Sequence, residues 1–599
     1  MDADVSARVP ARPATRVAAL ASRAMSRRWS LPPARNRVTV ARDVPVPMAD
    51  GAVLRADHYI PVTGRPAATV LIRTPYGRSG PNGLSGQFLA ERGYHVLIQS
   101  VRGTFGSGGV FSPMRDEASD GQDTVAWLRE QAWFSGRLVT YGLSYLGFVQ
   151  WALALDPPPE LVAMIVHVGP HDFSRSAYHH GAFDLYNFAS WCDLIAHQET
   201  TGPVRALARM VTADRRLRSA LGQLPVIASG RRMLGDGAPW FEGWLEHPQV
   251  TDPFWAPLDC GAALDRVIVP TLLVGGWQDL FIEQTLEQYR RLTARGVPAR
   301  LLVGPWAHLD VGTKGAAIAE SVAWLDRYAA PAAPAAPAAP AATPPAPPGR
   351  VWLGGAGEWR DIDDWPPPGA DPQRWYLGPR GALGTQPPSG PDVPATGFRY
   401  DPADPTPSVG GAVMSLRAGT RDNRSLERRS DVLTFSSEPL GEPVDIIGEV
   451  TASLSVTRNN PHADLFVRLC DVDPRGRSRN VCDGIVRLTG ADPLSGSTAV
   501  SLIGVAHRFG RGHQIRLQVS GGAHPRFARN PGTGRVDASY AELKPTDYRI
   551  GVLGESTLAL PVVTAAGELC ASGAVGRRDG LSGSFRRGVP SRSPLRHRS

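Results

Sequence analysis

The stretch Leu138–Gly147 (LVTYGLSYLG) runs from an apolar segment into a turn flanked by glycines. Apolar residues continue at helical spacing through Trp151 to Leu155, so the stretch predicts a strand, a tight turn and a helix. Small glycines let such a turn bend sharply and push a serine hydroxyl, here that of Ser144, out above the sheet. The second glycine lies three residues after Ser144 instead of the usual two, and a serine at this place could equally cap the helix.

A serine hydroxyl is a weak nucleophile until a base removes its proton, and a third group must orient that base. Two predicted strands further along the chain end in suitable residues. Thr271–Gly275 is followed by Asp279, and Ala299–Val303 is followed by His308. The order serine, aspartate, histidine at the ends of strands is that of α/β-hydrolases. We therefore predict Ser144 as the nucleophile, His308 as the base and Asp279 as its carboxylate partner.

From Val38 onwards the chain alternates short apolar strands with helices, the pattern of a largely parallel sheet covered on both faces. Further predicted strands are Ala68–Arg73, Tyr94–Ser100 and Val162–Val168, and predicted helices are Ala118–Gln131, Gln284–Ala294 and Ala316–Tyr328. Residues 170–258 are instead rich in aromatic side chains with helical patterns. They predict a helical cap inserted over the sheet edge at which open α/β sheets bind ligands.

A second domain is predicted beyond residues 329–349, where Ala-Ala-Pro recurs before a proline-rich ending. Proline at every third residue predicts an extended polyproline linker. Residues 350–563 show short alternating segments separated by Gly, Pro, Asp and Asn turns, which predict an all-β sandwich or jelly roll. The predicted fold is an α/β-hydrolase domain, residues 38–169 and 259–328, with an inserted helical cap and a C-terminal all-β jelly-roll domain.

The formal net charge of +8 on 599 residues comes from the two ends of the chain. Residues 1–37 carry eight arginines against two aspartates, and residues 577–599 carry seven against one. We expect residues 1–37 and the basic tail, residues 564–599, to be disordered, and neither nucleic acid nor a membrane to be a partner. Five scattered cysteines and the absence of a signal or transmembrane pattern predict a cytoplasmic protein.

Many short segments resemble the serine hydrolase family that groups bacterial cocaine esterase, α-amino-acid ester hydrolases and X-Pro dipeptidyl-peptidases. In chain order they are Arg73–Tyr76, Gln99–Gly103, Gly106–Phe111, Gly142–Gly147, Gly276–Asp279, Gly304–His308, Asp483–Arg487, Pro525–Phe527 and Arg529–Pro531. The family's G-x-S-Y-x-G turn has the glycine spacing found around Ser144. The resemblance implies the triad Ser144, Asp279 and His308, and an oxyanion hole built from the backbone N–H of Tyr145 and the phenol of Tyr76.

The resemblance also implies the reaction: cleavage of carboxylic esters or amides through an acyl-enzyme. X-Pro dipeptidyl-peptidase activity is the alternative, and a catalytically inert binding or scaffold protein is the less favoured one. Members that accept α-amino acids hold the ammonium group with clustered carboxylates. The matching stretch Phe173–Phe183 contains Arg175 and no acid, which disfavours an ammonium-bearing acyl group, although Asp184 and Asp193 follow closely.

The substrate pocket is expected to be apolar and aromatic, with Trp151, Phe281 and Tyr178 as wall residues, although each could equally be core. No metal or organic cofactor is expected. Asp471–Gly476 resembles the start of a calcium loop, but Arg475 occupies a ligand position, so the segment predicts a hairpin turn. The expected partner is a small-molecule ester or amide substrate, and homodimerisation is left open.

Overall fold

Two large β-sheets organise the chain in the computed structural model, which describes residues 9–63, 66–330, 347–389, 395–535 and 539–563. Each sheet has eleven strands. The first is mostly parallel and lies between helices, and the second is almost entirely antiparallel and C-terminal. None of the helices in the described ranges combines the length and the hydropathy that a transmembrane segment needs.

The N-terminal half of the first sheet contains the serine turn. In chain order its elements are β1 (Arg12–Pro13), α1 (Arg16–Arg28), β2 (Val38–Pro47), β3 (Val53–Pro61), β4 (Thr69–Thr74), α2 (Gly80–Ala90), β5 (His95–Ser100), α3 (Glu117–Arg129), β6 (Leu138–Leu143), α4 (Tyr145–Leu153) and β7 (Leu161–His167). The parallel strands β4, β5 and β7 are almost wholly buried, as their apolar sequences predict.

The cap follows β7 and consists mainly of helices. Its elements are α5 (Phe173–Ala177), β8 (Tyr178–His179), β9 (Ala182–Phe183), α6 (Leu185–His197), α7 (Pro203–Leu221), α8 (Val226–Leu234), a 3₁₀ turn (Gly235–Gly237), α9 (Trp240–Glu246) and a second 3₁₀ segment (Pro253–Leu258). The pair β8 and β9 is a two-residue hairpin that the sequence patterns did not predict. Aromatic side chains of α5, α6 and α9 pack against one another to form the centre of the cap.

The chain then completes the first sheet. The elements are α10 (Ala263–Arg266), β10 (Thr271–Gln278), α11 (Ile282–Ala294), β11 (Ala299–Ala307), a 3₁₀ turn (Val311–Thr313), α12 (Gly315–Tyr328), β12 (Gly349–Leu353) and β13 (Glu358–Ile362). The strand order is β1-β2-β3-β5-β4-β6-β7-β10-β11-β12-β13, and the strands from β4 to β12 are parallel. Consequently β6, β10 and β11 end at the same edge of the sheet.

The second sheet forms the β domain. Its strands are β14 (Ala370–Gly378), β15 (Ala382–Gly384), β16 (Thr396–Tyr400), β17 (Val432–Ser436), β18 (Val444–Arg458), β19 (Ala463–Val472), β20 (Ser478–Leu488), β21 (Ser495–Phe509), β22 (Gln514–Ser520), β23 (Thr546–Ile550) and β24 (Thr557–Val563). Strands β19 and β20 form a hairpin, so the turn predicted at Asp471–Gly476 is confirmed. The predicted α/β sheet, helical cap and C-terminal β domain are likewise confirmed.

The expectation that residues 1–37 are disordered is wrong for most of the segment that the structure describes. Helix α1 packs on α2 through a face of small polar residues: Ser22 donates to Glu91, and Arg92 donates to Ser26 over 3.0 Å. Because this buried face lacks apolar residues at helical spacing, the basic composition of the segment wrongly suggested disorder. Residues 1–8 and the tail 564–599 lie outside the described residues.

The first two strands of the predicted β domain, which starts at residue 350, do not join the second sheet. Strands β12 and β13 extend the first sheet, since β12 pairs in parallel with β11 and β13 pairs with β12. The second sheet begins at β14. Alternating apolar residues predict a strand but not the sheet that it joins, which explains the difference. Of the predicted linker, residues 329–349, residues 331–346 lie outside the described residues.

A buried ion cluster lies in the β domain beside the cap. The carboxylate of Asp483 accepts from Arg468 over 2.8 Å and from Arg526 over 2.5 Å, and each of these side chains is at most 4% exposed. The carbonyl of Arg526 accepts from the N–H of Tyr186 in α6 over 3.2 Å. The cluster therefore stands where the β domain contacts the cap.

Replacement of Asp483 by asparagine tests the cluster. Asp483→Asn leaves two guanidinium charges buried without a carboxylate, which should destabilise the fold by about 3–5 kcal/mol. Urea unfolding followed by circular dichroism measures the change. Asp422→Asn, which removes an exposed partner of Arg424, should leave the midpoint unchanged. Equal midpoints for the two variants would contradict the assigned role.

Candidate active site

The turn between β6 and α4 places Ser144 in a strained conformation. Its φ of 62° and ψ of −123° lie where residues other than glycine are rare, as expected of a serine forced out of a strand-to-helix turn. A Cβ on Gly142 would lie 2.3 Å from that of Leu146, and a Cβ on Gly147 would lie 2.6 Å from the Cα of Gly169. This contact explains why the second glycine of the turn stands at position 147, because α4 packs there against the backbone that follows β7.

Glycines also shape the ends of β10 and β11. Gly276 and Gly304 are paired in register, and Trp306 lies across both of them. A Cβ on Gly276 would lie 2.4 Å from the Trp306 carbonyl oxygen, and one on Gly304 would lie 2.2 Å from its indole ring. The register of the two strands is irregular between Gly276 and Gln278. Asp279 and His308 follow directly after the last residues of β10 and β11.

The three predicted residues meet at this edge of the sheet. His308 Nδ1 lies 2.5 Å from Asp279 Oδ1, and His308 Nε2 lies 2.9 Å from Ser144 Oγ. The tautomer with its proton on Nδ1 satisfies both contacts, because it leaves Nε2 free to accept the serine proton. The second oxygen of Asp279 accepts from the N–H of Phe281 over 2.8 Å, so this fully buried carboxylate is held from both sides.

Two hydrogen-bond donors stand beside Ser144. The N–H of Tyr145 belongs to the first turn of α4, where backbone N–H groups have no partner within the helix. The phenol of Tyr76 accepts from the indole of Trp191 over 2.8 Å and interacts with the Ser144 hydroxyl. Burial raises the pKa of Tyr76 to about 12, and these two hydrogen bonds oppose the shift only in part. The phenol consequently remains a donor well above neutral pH.

Trp191 is a residue that sequence reasoning missed. It lies on α6 of the cap, its ring is stacked on that of Tyr145 at a centroid distance of 6.1 Å, and its indole N–H fixes the Tyr76 phenol. The aromatic-rich composition of residues 170–258 was the only available signal, and it does not single out one tryptophan. Phe111 and Trp240 extend the same aromatic cluster.

A groove of about 300 Å³ adjoins this aromatic cluster. Residues 110–115 form one side and α9 the other, and the aromatic members of its wall are Phe111, Trp240, Trp244 and Phe254. The groove and the surroundings of Ser144 thus share aromatic side chains. The wall also includes Arg115, whose guanidinium lies over the Phe254 ring, and the otherwise mostly apolar lining suits an organic group without a positive charge.

The predicted pocket residues lie in three different environments. Phe281 packs edge-on against the His308 imidazole at a centroid distance of 5.3 Å, so it borders the site. Trp151 has no exposed surface and belongs to the core around α4, where it cannot contact a ligand in this conformation. Tyr178 is 4% exposed and donates to the carbonyl of Trp244, so it supports the cap from within.

The β domain contacts the strand that leads to Asp279. The side chain of Gln278 donates to the carbonyl of Val481 over 2.8 Å and accepts from Asn480 over 3.3 Å. A loop of the β domain also reaches the cap, where the Asn187 side chain accepts from the N–H of Met414 over 2.7 Å. The site is therefore bounded by all three parts of the chain.

The sheet, the cap and the hydrogen-bonded serine, histidine and aspartate define a serine hydrolase of the α/β-hydrolase class. Residues 50–310 match the X-Pro dipeptidyl-peptidase (S15 family) model, and residues 343–549 match the X-Pro dipeptidyl-peptidase C-terminal non-catalytic domain. Cocaine esterase of Rhodococcus sp. (strain MB1 Bresler) is 31% identical over 84% of this chain and 94% of its own length. The chain belongs to the X-Pro dipeptidyl-peptidase (S15) family.

Further comparisons find more distant similarity. A putative serine esterase of Mycobacterium bovis is 23% identical over 74% of this chain and 81% of its own length. Crystal structures of an aminopeptidase from a marine sediment Thaumarchaeota archaeon and of an α-amino acid ester hydrolase superpose with TM-scores of 0.74 and 0.73, at 24% identity. They cover 88% and 87% of this chain, with 96% of each solved chain matched, and they share its fold.

The burial of Tyr76 predicts that its phenol ionises at a higher pH than an ordinary tyrosine does. An ordinary tyrosine loses its proton near pH 10, whereas the raised pKa keeps that of Tyr76 bound until about pH 12. The absorbance at 295 nm of the protein and of Tyr76→Phe should differ in the folded state only above about pH 11. In urea-unfolded samples the difference should appear near pH 10. A difference near pH 10 in the folded protein would contradict this environment for the phenol.

Proposed function

We propose that this protein is a carboxylesterase that hydrolyses small, uncharged organic esters through Ser144, His308 and Asp279. The observation that carries the proposal is the continuous hydrogen-bond chain from Asp279 through His308 to a serine in a strained elbow. A buried carboxylate beside the imidazole stabilises the positive charge that forms when the imidazole takes the serine proton.

The first half of the reaction forms an acyl-enzyme. Ser144 Oγ attacks the ester carbonyl carbon while His308 Nε2 accepts the hydroxyl proton. The Tyr76 phenol and the Tyr145 N–H donate to the resulting oxyanion, and Tyr76 is suited to this because it stays protonated. The tetrahedral intermediate then collapses, the carbon–oxygen bond to the alcohol breaks, and His308 returns its proton to the departing alkoxide.

The second half releases the acid. Water occupies the place that the alcohol has left, His308 removes one of its protons, and the resulting hydroxide attacks the acyl carbon. The same two donors stabilise the second oxyanion. Collapse of this intermediate breaks the bond to Ser144 Oγ, which recovers its proton from His308, so the enzyme returns to its starting state.

Charge pairing near the site supports an uncharged acyl group. Asp193 is held by Arg209 and Arg216, each at 2.6 Å. Asp184 is completely buried and accepts from the Asn187 amide over 2.8 Å. Asp193 is therefore ion-paired within the protein, which disfavours its use in the alternative X-Pro dipeptidyl-peptidase activity. Asp184 Oδ1 has no hydrogen-bond partner among the described residues, but the side chain is shielded from solvent.

A side-by-side assay separates ester hydrolysis from dipeptide release. The protein should hydrolyse 4-nitrophenyl butyrate and phenyl benzoate with kcat/KM about 100-fold above that for Gly-Pro 4-nitroanilide, because Asp193 on α6 is already paired with Arg209 and Arg216. Ser144→Ala should remove turnover of every substrate, whereas Ser119→Ala, an exposed serine on α3, should retain it.

Three outcomes would overturn the proposal. A preference for the X-Pro anilide would favour the dipeptidyl-peptidase alternative. Ester hydrolysis that survives Ser144→Ala would place the chemistry elsewhere. Absence of turnover of all substrates in the folded protein would favour an inert binding protein.

A further inference from the structure

A buried chain of polar groups lies directly behind the serine turn. The hydroxyl of Tyr145 donates to Glu117 Oε1 over 2.6 Å and accepts from the N–H of Met114 over 2.9 Å. The other carboxylate oxygen of Glu117 lies 2.8 Å from the guanidinium of Arg73. These bonded polar groups therefore connect α4, through the start of α3, with the end of β4.

These groups are almost completely shielded from water. The side chains of Arg73 and Glu117 are 2% and 5% exposed, and Tyr145 is 2% exposed. Arg73 also donates to the Glu117 carbonyl over 2.6 Å and to the Gln99 side chain over 3.0 Å. A buried pair replaced by apolar side chains often costs no stability, so stability alone is a weak reason for this arrangement.

Each end of this group of bonded side chains lies close in sequence to a predicted oxyanion donor. Tyr145 itself supplies the backbone N–H, and its side chain is the one bonded to Glu117. Arg73 lies three residues before Tyr76, with Thr74 between them, and the Thr74 hydroxyl accepts from the Tyr76 N–H over 3.0 Å. One buried ion pair thus connects the segment that carries the phenol donor with the helix that carries the N–H donor.

We propose that Arg73, Glu117 and the Tyr145 hydroxyl are positioning residues that set the spacing of the two oxyanion donors. The proposal rests on the esterase function proposed above. The three groups do not contact the substrate; they act through the backbone of Tyr145 and through the loop that ends in Tyr76.

Loss of the Tyr145 hydroxyl should displace the helix that carries the N–H. Glu117 Oε1 and the Met114 N–H would both lose their partner, while the stacking of the ring on Trp191 would remain. Oxyanion donors must lie about 2.7–3.1 Å from the charged oxygen, and displacements of about 1 Å at a reacting centre cost about 100-fold in rate. The effect should therefore appear in the transition state.

The test compares Tyr145→Phe with the matched control Tyr94→Phe. Tyr94 is also buried and donates to a carboxylate, that of Asp326 over 2.9 Å, but it precedes β5 at the opposite end of the sheet. Tyr145→Phe should lower kcat for 4-nitrophenyl butyrate about 10- to 100-fold with KM changed less than about two-fold. Tyr94→Phe should keep kcat within about two-fold, even where its unfolding midpoint falls.

A transition-state analogue gives a second measurement. Phenylboronic acid mimics the intermediate when Ser144 Oγ bonds to its boron and His308 takes the serine proton. Its affinity should fall in Tyr145→Phe by the same factor as kcat, and Glu117→Gln should show the same parallel loss. Tyr76→Phe removes a donor outright, and its expected loss in kcat of about 10²–10³-fold sets the upper limit for the loss in the other two variants.

The outcomes separate this inference from the esterase proposal. Ester hydrolysis that depends on Ser144 in the unmodified protein supports the esterase function whatever Tyr145→Phe does. An unchanged kcat in Tyr145→Phe, a loss confined to KM, or an equal loss in Tyr94→Phe would overturn the positioning role. A fall in kcat without a fall in boronate affinity would also overturn it.

Discussion

The site depends first on the close approach of α4 to the chain that follows β7. Only glycine at positions 147 and 169 allows the two backbones to come so near, and Ser144, directly before the helix, has a positive φ. A serine in that conformation projects from the sheet edge with the first N–H of the helix beside it. The strain is tolerated because the helix that follows the turn is buried along its whole length and the strand before it is largely buried.

Three parts of the chain then converge on this turn. The sheet supplies Asp279 and His308 from adjacent parallel strands, the cap supplies Trp191 to orient the Tyr76 phenol, and the β domain holds Gln278 immediately before the aspartate. Each contact uses a buried hydrogen bond, whose loss would leave an unpaired polar group. The β domain is thus part of the structure that orders the site, and its removal should affect the site as well as stability.

Sequence patterns predicted most of the α/β sheet and the three residues that meet at its edge, because buried parallel strands are uniformly apolar and their ends share one edge. They did not predict helix α1, whose buried face is made of serine, or the return of β12 and β13 to the first sheet, because alternation does not specify a neighbour. Trp151 shows the converse limit: helical spacing marked it as buried but could not distinguish core from pocket. The role of Trp191 could be recognised only from its contacts in the structure.

The central claim is that Ser144 is activated by His308 across the 2.9 Å that separates their side chains. Labelling with a fluorophosphonate, followed by intact mass and peptide mapping, tests it most directly. Ser144 Oγ bonds to phosphorus as fluoride leaves, and the serine proton passes to the imidazole. One adduct is expected, on Ser144, and labelling should be about 10³-fold slower or more in folded His308→Asn. An adduct on another serine, or undiminished labelling of that variant, would contradict it.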